Sequence, residues 1–142
     1  MSTTRFHVLS PMSPDAAMHL LTDFGPTRPE TWPGIDAEHF QLHSKGDGWA
    51  EVTEGNAAAW ERARYEWDPI ARSVTVTTHD SKLFGAGGGW DFRFAPHDGG
   101  TRIDVTLTRS PAAPSGKVLA ALLPIIGAPS LKKSFATVFS AG

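Results

Sequence analysis

Cysteine is absent from the 142 residues, so disulfides, thiol catalysis and cysteine–zinc sites are excluded at the outset. Asparagine occurs once, at Asn56, and the Ala-Ala that follows it leaves no glycosylation sequon. No run of one charge sign is present: 13 Lys+Arg against 15 Asp+Glu give a net charge of −2 with the signs interspersed. Such a chain has no electrostatic footprint for nucleic acid or an anionic membrane. A long apolar run is missing too. The uncharged stretch from Val118 to Leu131 is interrupted by Pro124 and Pro129, and falls short of the roughly 20 apolar residues a spanning helix needs. Stable membrane insertion is therefore not expected. The opening MSTTRFHVLSPMS has no charged region leading into an apolar core, so no signal peptide is expected and a cytoplasmic location is.

What the chain has is aromatic rings. Five Trp and eight Phe are a heavy load for this length; they either fill a core or line an apolar cavity. One domain spanning 1–142 is expected, large enough to bury a core unaided.

The C-terminal stretch from Ser115 to Phe139 organises the rest. Val118, Leu119, Leu122, Leu123 and Ile126, and then Leu131, Phe135, Val138 and Phe139, recur at helical spacing. Pro124, Gly127 and Pro129 predict a kink or break near 124–129, with Pro129 suited to the first turn of the second piece. Upstream, Arg5 to Ser10 reads as a strand. Ser13-Pro14-Asp15 then supplies a cap, a helix-starting proline and an acid for a helix ending at Gly25-Pro26. The proline-rich TRPETWPGID allows only a short helix or ordered loop, with Trp32 packed onto the core. From Glu38 the periodicity becomes two. Three hairpins follow, turning at Lys45–Gly48, Asp68–Arg72 and His97–Gly100. Strands grouped together with segregated helices predict an α+β fold. Its parts are a curved antiparallel sheet of about seven strands, one or two short helices after the first strand, and a long C-terminal helix closing a cavity.

This order of elements resembles the START-like or helix-grip superfamily (SRPBCC, including Bet v 1-like proteins and polyketide cyclases/dehydrases). The likeness covers nearly the whole chain. It is carried by the SPDAAMHLLTDF helix, the EGN…WERARYEWD strand, the DSKLFGAGGGWDFRFAP and GGTRIDVTLTRSP stretches and the terminal helix. The resemblance implies an apolar cavity between sheet and helix for a small hydrophobic or aromatic, lipid- or polyketide-like ligand. It carries no shared catalytic motif, and no cofactor or metal is expected.

Alternation assigns the cavity wall. On 60–68 the odd residues Ala63, Tyr65 and Trp67 are placed inward. On the next strand Val74 and Val76 face in, and regular alternation carries Thr78 and Asp80 with them. The last strand contributes Ile103, Val105, Leu107 and Arg109. Strand ends then bring Glu61, Asp80 and Arg109 together beside Trp90. That cluster either orients a ligand carbonyl or carboxylate and assists proton transfer, or closes the rim as a salt-bridge network. The expected ligand-contacting set is Tyr65, Trp67, Val76, Asp80, Trp90, Phe92, Val105, Leu107, Arg109, Leu119 and Leu123. The candidates for catalysis are Asp80, Arg109 and Tyr65. Three functions stay open: binding or carrying a hydrophobic molecule, a cofactor-independent cyclase or dehydratase, and a protein-interaction module without a ligand.

Other motifs reduce to structure. His39 and His43 are placed on one strand, where a four-residue offset spans about 13 Å, too far for one ion. His79-Asp80-Ser81 alternate in direction and cannot form a hydrolytic relay. Gly85–Gly89 lacks the Gly-Lys-Ser/Thr ending of a phosphate loop and is expected to be a flexible loop over the cavity.

Overall fold

The computed structural model describes residues 2–111 and 128–140. Seven strands form one antiparallel sheet: β1 (Ser2–Ser10), β2 (Gln41–Gly46), β3 (Trp49–Gly55), β4 (Trp60–Asp68), β5 (Ser73–Ser81), β6 (Phe84–His97) and β7 (Gly100–Pro111). Their order is β1-β7-β6-β5-β4-β3-β2, a meander whose last strand returns to pair with the first. Helices α1 (Pro14–Thr22) and α2 (Arg28–Thr31) and a 3-10 turn (Ala37–His39) separate β1 from β2, and α3 (Ala128–Phe139) ends the described chain.

Local chemistry accounts for these boundaries. The Ser13 hydroxyl accepts from the Ala16 amide and Pro14 opens α1, a capped start that satisfies a helix-end donor. Asp98 and Gly99 both have positive φ, the backbone that a two-residue hairpin between β6 and β7 requires. Pro129 lies in the first turn of α3, as expected. The expected break around Pro124, and Leu119 and Leu123 with it, lie outside the described residues.

The inner face follows the alternation. Ala50 and Val52, Ala63 and Tyr65, Val74 and Val76, Phe92 and Phe94, and Ile103, Val105 and Leu107 are all buried. Ala17, Met18 and Leu21 of α1 and Phe139 of α3 pack onto this face. The Ser10 hydroxyl donates to the Phe139 carbonyl at 2.6 Å, tying α3 to β1.

Three register shifts depart from the regular pattern, and such bulges bend the bulged strand. Leu42 pairs with Val52 and Ser44 with Glu51, leaving His43 extra. Arg62 pairs with Asp80 and Ala63 with Thr78, leaving His79 extra. Gly85 pairs with Ser110 and Gly89 with Thr108, so the glycine run is a bulged part of β6. This corrects the expected flexible loop. A Cβ on Gly89 would run into the Val76 carbonyl, and one on Gly88 into the Thr108 carbonyl. Gly88 and Gly89 thus allow close approach of the neighbouring strands. His39 lies on the 3-10 turn, not on the strand that carries His43, and its ring is bonded to Asp36.

Candidate functional site: a cavity with two arginine–glutamate pairs

A cavity of about 320 Å³ lies between the inner face of the sheet and α3. Leu131, Phe135 and Val138 of α3 border it on one side. Trp60 and Glu61 from the start of β4, Trp90 and Phe92 of β6 and Arg109 near the end of β7 form the opposite wall. Trp32 and Ile35, and Glu54 and Tyr65 of the sheet, also line it. Its volume sits at the lower end of the roughly 300–1,000 Å³ common for small-molecule sites.

Phe135 is the aromatic centre. Its ring centroid lies 5.5 Å from Trp90, 5.7 Å from Trp32 and from Phe92, and 5.9 Å from Phe6. The Trp90 and Phe92 rings stack at 5.9 Å. These separations suit edge-to-face and offset contacts, which add to plain area burial.

The charged groups on this wall come in two clusters; the buried Trp32 Nε1 belongs to neither and has no partner among the described residues. In the first, Arg109 Nη1 donates to Glu61 Oε2 at 2.9 Å and to Thr78 Oγ1 at 3.1 Å. Thr78 donates to the same carboxylate oxygen at 2.7 Å, and Trp90 Nε1 donates to Glu61 Oε1 at 3.3 Å. The Arg109 guanidinium also lies over the Phe84 and Trp90 rings, at 5.2 and 5.5 Å, within cation–π range.

Burial works against ionisation of Glu61, but the Arg109 charge and the bonds from Arg109, Thr78 and Trp90 outweigh it, and the carboxyl is held below its ordinary 4.5. The sign follows. A carboxyl with a lowered folded-state pKa adds stability above its unfolded value and loses it as pH falls through the folded one. The stability advantage of the wild type over Glu61→Gln should therefore shrink as pH drops below 4.5. Denaturant midpoints of both proteins across this range check it. A constant gap down to about pH 2 would remove Glu61 from the acid response.

The second cluster joins Tyr65 to Arg28 and Glu54, two residues that the sequence pattern does not single out as site residues. Arg28, 3% exposed, reaches from α2. Its Nε donates to Glu54 Oε2 at 2.8 Å, its Nη1 to the Leu21 and Asp23 carbonyls at 2.9 Å each, and its Nη2 to the Tyr65 hydroxyl at 3.2 Å. Tyr65 in turn donates to Glu54 Oε1. The guanidinium sits 4.4 Å above the Phe24 ring. Burial, reinforced by the Glu54 charge, pushes the Tyr65 phenol well above its ordinary value. Arg28 is raised despite its burial, because Glu54 and Tyr65 together more than offset the desolvation. The two clusters adjoin: Glu54 stands directly opposite Glu61 in the β3–β4 ladder. Like charges so placed repel, and each carboxylate has its own arginine.

Of the expected contact residues, Tyr65, Trp90, Phe92 and Arg109 border the cavity. Tyr65 does so with its hydroxyl engaged on both sides. Asp80 does not. The extra residue at His79 turns it to the outer face, where it is exposed and its carboxylate accepts from the Ser81 amide. Thr78 takes its place in the cluster. Val76, Val105 and Leu107 are on the inner face but packed in the core, with no surface on the cavity. Trp67 is half-buried at the far end of β4, 6.1 Å from the Phe24 ring. The inner face is longer than the cavity, and α1 contacts the β6 and β7 part of it. Glu54 carried a readable signal, since it shares parity with Ala50 and Val52. Arg28 carried none.

Among the described residues no helix is long and apolar enough to cross a membrane. No protein-family model matches the chain, and no curated protein matches it in sequence. Solved structures do match. A START superfamily protein from Mycobacterium smegmatis superposes with a TM-score of 0.74 at 13% identity, covering 98% of this chain and 97% of that one. The Zhui aromatase/cyclase from Streptomyces sp. R1128 gives 0.72 at 14% identity, covering 96% and 92%. Ara h 8.0201 gives 0.61 at 15% identity, covering 95% of each chain. At such identities the likeness is one of fold, and that fold is the helix-grip fold of the START-like (SRPBCC) superfamily.

Proposed function

We propose that this protein binds a small hydrophobic or aromatic molecule in the cavity between the sheet and α3. The observation that carries this reading is the wall itself: aromatic and aliphatic side chains around about 320 Å³, with the two arginines and two glutamates neutralising one another. An aromatic lining with a few fixed polar groups is the usual form of a small-molecule site. Structural neighbours that include an aromatase/cyclase and a START superfamily protein fit a lipid- or polyketide-like ligand.

Binding is favoured over turnover. A cofactor-independent cyclase or dehydratase would need an acid or base poised near neutrality. Glu61 is pushed down and Tyr65 up, so the first is a poor base and the second a poor acid at neutral pH. Asp80, the remaining titratable candidate, is on the outer face. A ligand-free interaction module loses its motive, because the core is not solid beneath α3.

Native mass spectrometry of freshly purified protein tests the reading, with an expected mass excess that disappears on denaturation. A companion variant guards against loss of a weak ligand during purification. Ser134 borders the cavity from an exposed position on α3, so Ser134→Trp should obstruct the cavity without disturbing the core. Affinity for the neutral probe N-phenyl-1-naphthylamine should fall about tenfold or more, equivalent to about 1.4 kcal/mol, with an unchanged melting temperature. Equal probe affinity in a folded Ser134→Trp protein would put the binding site elsewhere.

A further inference from the structure

Resting on that reading, we infer that the polar end of the cavity takes an uncharged hydrogen-bond acceptor, a ketone, quinone, lactone or amide carbonyl, on the Arg109 guanidinium, and rejects a carboxylate there. A guanidinium has five N–H donors and no acceptor. Among the described residues Arg109 commits only Nη1, to Glu61 and Thr78. Among the described residues its Nε and Nη2 donors have no hydrogen bond, although the side chain is only 11% exposed and borders the cavity. Contact with the Phe84 and Trp90 rings holds the group in place. Arg28 differs, because Nε and both terminal nitrogens are already bonded to Glu54, two backbone carbonyls and Tyr65. Arg109 is thus the arginine with donors to offer.

Charge decides which acceptor. Arg109 is already neutralised by Glu61 at 2.9 Å, and Glu54 stands across the ladder from Glu61 with Arg28 engaged in turn. An incoming carboxylate would give up its hydration to enter a wall that already holds two carboxylates and no unpaired cation among the described residues. A carbonyl oxygen gains the same N–H contacts without that repulsion. The aromatic body of such a ligand would lie against Phe92 and Phe135.

Three probes of matched shape separate the possibilities: 2-acetylnaphthalene, 2-ethylnaphthalene and 2-naphthoate, each displacing N-phenyl-1-naphthylamine at pH 7. The ketone should bind about tenfold tighter than either of the others, as one hydrogen bond to a charged group allows. In Arg109→Met/Glu61→Gln, which removes both charges together and so strands neither, ketone and hydrocarbon should become equal while the fluorescent probe still binds. Equal ketone and hydrocarbon affinity in the wild type overturns the inference and leaves hydrophobic binding intact. Tightest binding of naphthoate overturns it in favour of an acid site. A ketone preference that survives in the double variant removes Arg109 from the role. Failure of every compound, the fluorescent probe included, overturns the cavity reading and this inference with it. Should the double variant not fold, the wild-type order of the three probes decides alone.

Discussion

Arg28→Met is expected to destabilise the protein by about 3–5 kcal/mol, because it strands the Glu54 carboxylate in a buried position. Glu54 is itself buried, and Arg28 is one of its two side-chain partners among the described residues. Two backbone carbonyls, of Leu21 and Asp23, lose their donor at the same time, which adds the cost of unsatisfied acceptors. A domain of this size has only about 5–15 kcal/mol in total, so the loss is a large share. At roughly 3 °C per kcal/mol for a domain near 150 residues, the melting temperature should fall by roughly 10–15 °C. Arg28→Met/Glu54→Gln should recover much of that, since the stranded charge is the main cost and the neutral amide oxygen of the introduced glutamine can still accept from Tyr65. Thermal melts of the three proteins measure both effects. A single variant within about 2 °C of wild type, or a double variant no better than the single, would show that the pair is dispensable.

The second large effect is expected at Phe135. Its ring meets Phe6, Trp32, Trp90, Phe92 and Phe139, and it borders the cavity. Replacing a packed Phe by Ala typically costs about 3–5 kcal/mol, the transfer term plus the void left behind. Phe135 is half-buried, so about 3 kcal/mol is expected, read as a shift in the urea midpoint at constant slope. The ligand site should suffer as well, because the enlarged space leaves a bound aromatic ring without its facing partner. Phe135→Leu, which keeps most of the volume, should cost less than half as much. If Phe135→Ala and Phe135→Leu were equally mild, the ring cluster would not be holding α3 to the sheet.

Much of this architecture is readable from periodicity. The clean alternation of Trp90, Phe92 and Phe94 against Ile103, Val105 and Leu107 gives the β6–β7 pair its face. The odd parity of Ala63 and Tyr65 gives that of β4. Parity and strand ends also bring Glu61, Arg109 and Trp90 together. What cannot be read has physical reasons. A bulge at His79 leaves no mark in Thr77-Thr78-His79-Asp80, which has neither glycine nor proline to announce a change of parity. Arg28 sits in a proline-rich segment without periodicity, so nothing local shows that its side chain turns inward. The glycines at 85–89 read as a loop because glycine is a poor strand former. Here Gly88 and Gly89 serve close approach between strands, which only the pairing reveals. Alternation puts Leu107 and Val105 on the correct face, but which part of that face is covered by α1 and which by open space depends on helix placement.

The extra residue at His79 acts as a spacer in the reading of the cavity wall. In a regular strand, counting on from Thr78 would set Asp80 against Glu61, adding a third carboxylate beside Glu54 with no arginine assigned to it. With the spacer, Ser81 takes that place opposite Glu61, and Asp80 pairs with Arg62 on the outer face. Losing one residue from a regular strand turns every later side chain over. Losing His79 would instead straighten β5 while Thr78 and Ser81 kept their sides. The composition of the wall is thus buffered against loss of either residue of the bulge, His79 or Asp80, and not against loss of a residue in the regular part of the strand, so that a β5 shortened at the bulge would keep the same ligand chemistry while changing the curvature of the space around it.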